Sequence, residues 1–455
     1  MKVKVLSRNP ADYLRETKND IFKARRNYSA TAHPFQEGRE YVRALNSAKL
    51  ERVFAKPFVG SLDGHADAVS TIAKHPFRVS LLLSGSYDGE IRLWDLARRQ
   101  CQAELRAHTG FVRGVAVDAT SGDARASTFL SVGDDQQIKR WRLPTLSDKS
   151  LDVGEPLAAI LTKQPVLDVN HHRLRAEYAT CGEGVSVWDG ERQTPVRTYS
   201  WSVDTITKVA YNPVETEVLA ACCQDRGIYL YDSRERSPLR KVVLKLRSNA
   251  VCWNPMEAYM FTVANEDYNL YTFDARYLKR AARVHMDHTE AVLCLDYSPT
   301  GREVVSGSFD KTLRIFPVDK GRSREVYHTR RMHRVTSVGW TMDSKFVVSG
   351  SDEMNLRLWK ASASEKLGIL SRREEQASAY AGQLKDKFAA HPQVRRVLRK
   401  RHVPKHVYNA RNEHRAIREA DKRKEANRRH FSSTDAQRRR PREDQRSAAL
   451  VGETE

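Results

Sequence analysis

The sequence predicts an all-β fold, a ring of seven four-stranded blades, carrying an N-terminal extended arm and a C-terminal basic α-helical extension. Three observations predict it. An aromatic residue, usually followed by Asp, recurs at Trp94, Trp141, Trp188, Tyr231, Phe273, Phe316 and Trp359, at intervals of 47, 47, 43, 42, 43 and 43 residues. That is the period of WD repeats, slightly stretched by loops in the second and third units, so the ring reads as a seven-bladed WD-repeat β-propeller. The fullest copies, from Gly64 to Leu96 and from Asp287 to Val318, alternate apolar and polar residues with period two. Turn residues break the alternation at Tyr87-Asp88-Gly89 and at Ser298-Pro299-Thr300-Gly301. Beyond Ala361 the period stops and helix signals begin.

One four-stranded blade cannot bury both of its faces, so blades stack around an axis and closure removes exposed edges. A strand must therefore close the ring. The segment from Val53 to Leu62 precedes the first Gly-His and is expected to lie beside the last blade, near Trp359. His65, His108, His288 and His333 precede the turn residues Asp88, Asp135, Asp310 and Asp352 by 19 to 27 residues. These sets read as hydrogen-bonded pairs inside blades rather than as metal or catalytic centres. Repeats three to five lack the initial His and are still expected to form blades.

In the extension, Ser371-Arg372-Arg373-Glu374 is a capping box, followed by Ala377, Tyr380, Ala381, Leu384 and Phe388 at spacings of three and four. An amphipathic helix ending near Pro392 follows from this pattern. A short basic stretch, 395–401, leads to Pro404, and Val407 to Arg429 reads as a longer helix. Its apolar stripe is thin (Val407, Ala410, Ile417, Ala420), so it is expected to order on a partner. The last residues, 431–455, read as disordered.

The formal charge of +21 is unevenly spread. Residues 391–442 hold 18 Lys/Arg against 5 Asp/Glu, residues 1–52 hold 12 against 6, and only +2 is left for the remainder. Basic ends on a near-neutral scaffold point to anionic partners. The candidate RNA-binding residues are Arg395, Arg396, Arg399, Lys400, Arg401, Lys405, Arg411, Arg415, Arg418, Lys422, Arg423, Lys424, Arg428 and Arg429, because Lys and Arg neutralise phosphates and release counterions. A solvated face, or an import signal at Lys422-Arg423-Lys424 and Arg438-Arg439-Arg440, uses the same composition. In the arm, Tyr13, Ile21, Phe22, Tyr28, Phe35 and Tyr41 alternate with basic residues, as in a peptide laid along neighbouring proteins or in a flap on the chain's own propeller.

Other classes lack their chemistry. No run of 18 apolar residues and no signal-peptide core is present, which predicts a soluble, non-secreted protein. The six cysteines show no CxxC pairing and read as reduced core residues. With no phosphate loop, HExxH or GxSxG, and with His171-His172 too poorly spaced for a metal, the expectation is a non-catalytic protein without cofactor or metal.

The front segments VLSRNPADYLRETKNDIFKARRNY, HPFQEGREYVRALNSAKLERVFAKPFVGSLDGH and AHTGFVRGV, and the back segment RRVLRKRHVPKHVYNARNEHRAIREADKRKEANRR, resemble the Sof family of WD-repeat proteins. Neither the first of these nor the RHVPKHVY block is needed to make a propeller, so both are specific. The resemblance divides the chain into an arm (1–52), a propeller (53–361), a Sof-like basic helical domain (362–430) and a tail (431–455). It implies a nuclear and nucleolar scaffold of the small-subunit processome, acting with the U-three small nucleolar ribonucleoprotein, other processome proteins and pre-ribosomal RNA in maturation of the small subunit. Some animal relatives also resemble substrate receptors of cullin-RING ubiquitin ligases, which dock on an adaptor through an aromatic-Asp-x-Arg element. Tyr231-Asp232-Ser233-Arg234 and Phe273-Asp274-Ala275-Arg276 fit that pattern. No membrane or small-molecule partner is expected.

Overall fold

The computed structural model describes residues 29, 31–118, 120, 128–144, 155–201, 204–431, 446–447 and 449–454. Residues 55–365 and 401–455 form one compact unit, and residues 1–54 with 366–400 form another.

The larger unit is the propeller. Six blades each take four consecutive strands, beginning with Val69–Lys74, Val112–Val117, Asp168–His171, Ile206–Tyr211, Ser248–Trp253 and Val292–Tyr297 as inner strands. Blade 7 has only three of its own, Val335–Trp340, Phe346–Ser351 and Leu356–Lys360. Its fourth is the early strand Phe58–Leu62, antiparallel to Leu356–Lys360 with Phe58 opposite Trp359 and Leu62 opposite Leu356. The ring thus closes where the sequence places the closure, although Val53 itself ends a helix. Between neighbouring blades lie seven separate apolar clusters. The one that spans the closure contains Leu62, Val69, Leu82, Trp94, Val348, Leu356 and Leu358. Each such Val or Leu side chain contributes roughly 1.5–3 kcal/mol by leaving water.

Polar side chains lock each blade from within. In blade 2, Trp141 Nε1 donates to Ser131 Oγ (2.9 Å), Ser131 faces His108 Nε2 (2.8 Å), and His108 Nδ1 faces Asp135 (2.8 Å). Blade 6 repeats the last two links with Ser306, His288 and Asp310, at 2.7 and 3.0 Å. In blade 1, Trp94 and His65 both meet Ser84, but the expected His65–Asp88 pair does not form, because Asp88 accepts from the Ala66 N–H at 3.3 Å and His65 Nδ1 makes no hydrogen bond. Blade 7 departs from expectation. Trp359 still donates to Ser349 (2.8 Å), but His333 is exposed, and Asp352 is taken by Arg334 at 3.1 Å. The linker before that blade is longer, and it buries Met332 in the blade's apolar cluster.

The repeats without the initial His do form blades. Blades 4 and 5 replace it with a tyrosine of their own third strand. Tyr229 donates to Asp225 (2.6 Å), and Tyr271 donates to Asp267. At the opposite end, the turn after each inner strand is held by a side chain. His75 Nδ1 accepts from the backbone N–H of Phe77 and Arg78 (3.1 and 2.9 Å), His172 serves Leu174 and Arg175 in the same way, and Asn212 and Asn254 do it in blades 4 and 5. The His171-His172 pair is therefore structural. All six cysteines are free, four of them buried.

The C-terminal tail is not wholly irregular. Leu450–Thr454 adds a fifth strand to blade 4, antiparallel to Pro238–Leu244, and Ala449 is buried beside it. An open blade edge accepts any chain with matching apolar residues, and Leu450 supplies one.

Among the described residues, the smaller unit holds three helices, α1 (Gln36–Val53), α2 (Arg372–Lys387) and α3 (Pro392–Arg399). The arm is therefore not extended over 36–53. Small residues at one face, Ala44 and Ala48, are fully buried and let helices approach closely, with Leu384 and Val394 as their apolar counterparts. Ion pairs Glu51–Lys385 and Glu40–Lys387, both at 2.6 Å, join α1 to α2. Ser371 and Glu374 make the predicted capping box. Pro392 starts a helix rather than ending one, because proline at the first helical position loses no hydrogen bond. No helix among the described residues is long and apolar enough to cross a membrane.

Deleting Phe58 to Leu62 leaves Leu356–Lys360 as an open edge and removes part of the closing cluster. Calorimetry should show a melting temperature lowered by several degrees or outright aggregation; a monomeric product with an unchanged melt would show that the ring does not depend on this strand.

The buried histidines predict acid sensitivity. Burial pushes His65, His75 and His285 down to about 4, with the Arg92 guanidinium adding to the effect at His65 and Arg78 at His75. Each is neutral when folded and takes up a proton in the unfolded chain near its ordinary value of about 6.5. Their contribution to stability is full above that value and is lost as the pH falls toward 4. The melting temperature should therefore drop across this window. The variant His75→Asn, which keeps a turn acceptor of the kind Asn212 and Asn254 provide, should show a shallower drop; an unchanged slope would remove His75 from the account.

Candidate interaction surfaces

In every blade the inner strand starts level with the turn between the second and third strands, as Val69 opposite Ser86 shows, while third strands end at the other face, as Leu81 opposite Asp95 shows. The propeller therefore offers two distinct faces.

The two aromatic-Asp-x-Arg elements end the third strands of blades 4 and 5. Tyr231 and Phe273 are fully buried and anchor the chain. Asp232 accepts from the backbone N–H of Arg234 (2.9 Å), and Asp274 does the same for Arg276 (3.0 Å), so each Asp folds the turn that presents its Arg. Asp274 also holds the Arg276 guanidinium through two contacts, at 3.1 and 2.9 Å, and the guanidinium carbon lies 4.4 Å from the Tyr259 ring centre. Both arginines are exposed. From blade 4, Arg240 donates to the Arg276 carbonyl (2.9 Å), linking the two elements.

The basic extension is divided. Arg395, Arg396, Arg399 and Lys400 belong to the three-helix unit, where the first three sit on or at the end of α3 and all four are exposed. The remaining ten belong to the propeller unit. There Arg401 is mostly buried and pairs with Asp287 (3.3 Å), and Arg411 reaches the same carboxylate at 3.5 Å. Arg401 is thus committed to the fold and is corrected from an RNA-binding candidate to an anchor, whereas Arg411 makes this contact with an exposed side chain. Asp287 is buried; although burial alone would raise it, the Arg314 guanidinium, Ser323 and Arg411 hold its carboxyl below the usual carboxylate range.

The long helix, α4 (Lys405–His430), begins on blade 6, where His406 meets the Asp310 carbonyl at 3.4 Å, and His414 stacks against Tyr268 of blade 5 at 5.2 Å. Val407 is its one buried side chain. Its first half is therefore ordered by this chain itself, not only by a partner. Arg415 pairs with Glu419 and Arg429 with Glu425 along the helix. Lys405, Arg418, Lys422, Arg423, Lys424 and Arg428 are exposed.

Of the arm residues, Tyr13, Ile21, Phe22 and Tyr28 lie outside the described residues. Phe35 is exposed. Tyr41 is turned inward, donating to Gln393 (2.6 Å) and lying 4.3 Å from the His391 ring and 6.0 Å from that of Phe388. It is corrected from a partner contact to a packing residue of its own unit.

A possible metal cluster, His65, Asp88 and Glu90, sits at one blade turn. Arg92 and Arg106 approach Glu90 at 3.2 and 3.7 Å and already supply the cation there. Sequence reasoning missed a concavity of about 500 Å³ on the α4 face, lined by Asp67, Tyr87, Phe111, Arg113, Leu293, Phe309, Arg334, Thr336 and Asp352. Its residues follow each blade's linker or open its turn, positions that the repeat pattern alone does not mark.

Residues 361–447 match the Sof1-like domain, and residues 56–95, 281–316 and 324–360 match the WD domain, G-beta repeat. The chain is 53% identical over 434 residues to "DDB1- and CUL4-associated factor 13" of Xenopus laevis, covering 95% of this chain and 96% of that protein. It is 54% identical to the Homo sapiens protein of the same name (94% and 95% covered) and 46% identical to that of Dictyostelium discoideum (90% and 91%). Among solved structures, the WD40 β-propeller domain of Doa1 shares the fold, with a TM-score of 0.55 at 18% identity over 67% of this chain and 96% of that one. An aromatic-anchored propeller joined to a Sof1-like extension, and this likeness over nearly the whole length, place the chain in the Sof1 family of WD40-repeat proteins to which these DDB1- and CUL4-associated factors belong.

Proposed function

We propose that the chain is a non-catalytic docking subunit, a substrate receptor that attaches to the DDB1-type adaptor of a cullin-RING ubiquitin ligase. One observation carries the reading: two aromatic-Asp-x-Arg turns on adjacent blades present exposed arginines from fully buried aromatic anchors. Arg276 is pre-organised by Asp274 and Tyr259, so it loses little side-chain entropy on binding. The names borne by the relatives support the same partner.

A second reading is favoured by a different observation. The Sof1-like segment carries exposed basic side chains on the outer half of α4, in keeping with a scaffold of the small-subunit processome that contacts pre-ribosomal RNA and small nucleolar ribonucleoprotein in the nucleolus. Docking to an adaptor and holding RNA use separate residues, so one chain can do both.

Co-purification separates them. Replacing Arg234 and Arg276 together by Ala should abolish capture of the adaptor while leaving the melting temperature within a degree or two, since both side chains are exposed; full capture by the double variant would sink the docking reading.

Changing Lys422, Arg423, Lys424 and Arg428 to Gln should weaken RNA binding across sequences. The slope of log affinity against log salt should flatten by about 0.7 for each lost phosphate contact on single strands. Unchanged affinity and slope, with loss of nuclear accumulation, would assign this stretch to import instead.

A further inference from the structure

We propose that the mouth of the propeller's central channel, on the face opposite the two aromatic-Asp-x-Arg turns, recognises an extended peptide segment that presents an Arg or Lys side chain. The proposal deepens the receptor reading, and rests on it only in taking that segment to be a ligase substrate.

The mouth is the concavity of about 500 Å³ shared by blades 1, 2, 6 and 7. That is room for a few residues of peptide. Its apolar surface is aromatic and open to water. Phe111 and Phe309 are 45% and 46% exposed, and Tyr87 meets Phe111 edge-on with ring centres 5.1 Å apart. Exposed aromatic rings at the rim of a cavity are what a binding surface shows before its partner arrives.

The charges decide the partner's chemistry. Two arginines line the mouth, but both are spent. Arg113 makes a two-point pair with Asp134 at 2.7 and 2.8 Å, and Arg334 pairs with Asp352 at 3.1 Å. Asp67 accepts only from the neighbouring N–H of Ala68 (2.7 Å) and keeps its negative charge exposed. Counted with their partners, the ionised groups carry a net negative charge around aromatic rings, whose faces attract cations. The two resident arginines already use this attraction, lying 5.3 Å from the Phe111 ring centre and 5.9 Å from that of Phe309. Asp67, Tyr87 and Phe111 meet on the side of blades 1 and 2, away from His406, which reaches the Asp310 carbonyl next to Phe309. The incoming cation therefore seats on the side of blades 1 and 2. Adaptor docking, assigned to the other face, does not use these residues.

The test uses the full-length chain and four pools of fluorescein-labelled seven-residue peptides, randomised over Gly, Ala, Ser and Leu, with Arg, Lys, Gln or Glu fixed at the centre. Fluorescence polarisation should show the Arg and Lys pools binding at least tenfold tighter than the Gln and Glu pools. Phe111→Leu should weaken the Arg pool about twofold to fivefold, the range of one exposed cation–π contact, and Asp67→Asn, which removes the unpaired carboxylate, should weaken it by at least as much, with melting temperatures unchanged. The Arg234/Arg276 double variant should bind the Arg pool as the parent does. Equal binding of all four pools, preference for Glu, or parental affinity in both mouth variants would each overturn the proposal. Arg-pool selectivity in a protein that captures no adaptor would uphold the mouth and remove only the ligase reading.

Discussion

Closure of the ring is the constraint on which the remainder of the structure depends. Six blades are built from contiguous chain, and their strands find partners close in sequence. Blade 7 is different, because its outer strand must come from residues 58–62, almost 300 residues away from its partner. Until that pairing forms, blades 7 and 1 share no complete apolar cluster, and Leu62, Val69 and Leu356 stay wet. Loop closure over so long a chain costs entropy before any contact repays it. The closing segment is correspondingly reinforced. Phe58 packs edge-on against Trp359 with ring centres 5.6 Å apart, and the Lys56 N–H binds the Ala363 carbonyl at 3.1 Å. Across the ring, Lys74 of blade 1 reaches Asp296 of blade 6 at 2.7 Å, and the same carboxylate accepts from the Trp340 N–H of blade 7.

The locks inside the blades explain why neutral histidine suits this fold. In blade 2 the serine hydroxyl accepts from the Trp indole and so turns its own proton toward His108 Nε2, leaving Nδ1–H to donate to Asp135. A second proton on Nε2 would face the hydroxyl proton and break the chain. Desolvation and hydrogen-bond direction thus act together, and the depressed values of these histidines follow from a network of fixed polarity. Where tyrosine takes over, in blades 4 and 5, the donor has no competing charge state near neutrality, and the lock does not depend on a histidine proton.

Much of this was legible in the sequence, and the losses have physical causes. The period of the strand-ending aromatics placed all seven blades, because each aromatic must fill the same space between neighbours. The His–Asp pairs of blades 2 and 6 were equally plain. His333 misled because the pairing depends on the distance from His to the inner strand: His65, His108 and His288 stand four residues before theirs, whereas His333 stands only two before Val335. The Asp225–Tyr229 and Asp267–Tyr271 locks carry a signal, an Asp four residues before a Tyr, that a search for histidine passes over. Arg401 and Arg411 look like any other residue of a basic tract. Only their contacts with the buried Asp287, more than 110 residues earlier, set them apart from the other arginines of the tract.

Charge in this chain is therefore sorted by depth rather than by sequence position. A buried carboxylate without a partner would be costly, and Asp287 is kept ionised by Arg314 of its own blade together with two arginines of the extension. That arrangement gives the start of the extension a specific seat on blade 6, and it leaves the outer half of α4 carrying its basic residues into solvent. The same face holds the aromatic mouth, while the exposed arginines of the aromatic-Asp-x-Arg turns occupy the other. One ring thereby keeps three surfaces apart: exposed arginines above buried aromatic anchors, a basic helix, and an aromatic-acidic hollow. The first two are positioned by buried groups, Phe273 beneath the Arg276 turn and Asp287 beneath the start of the extension.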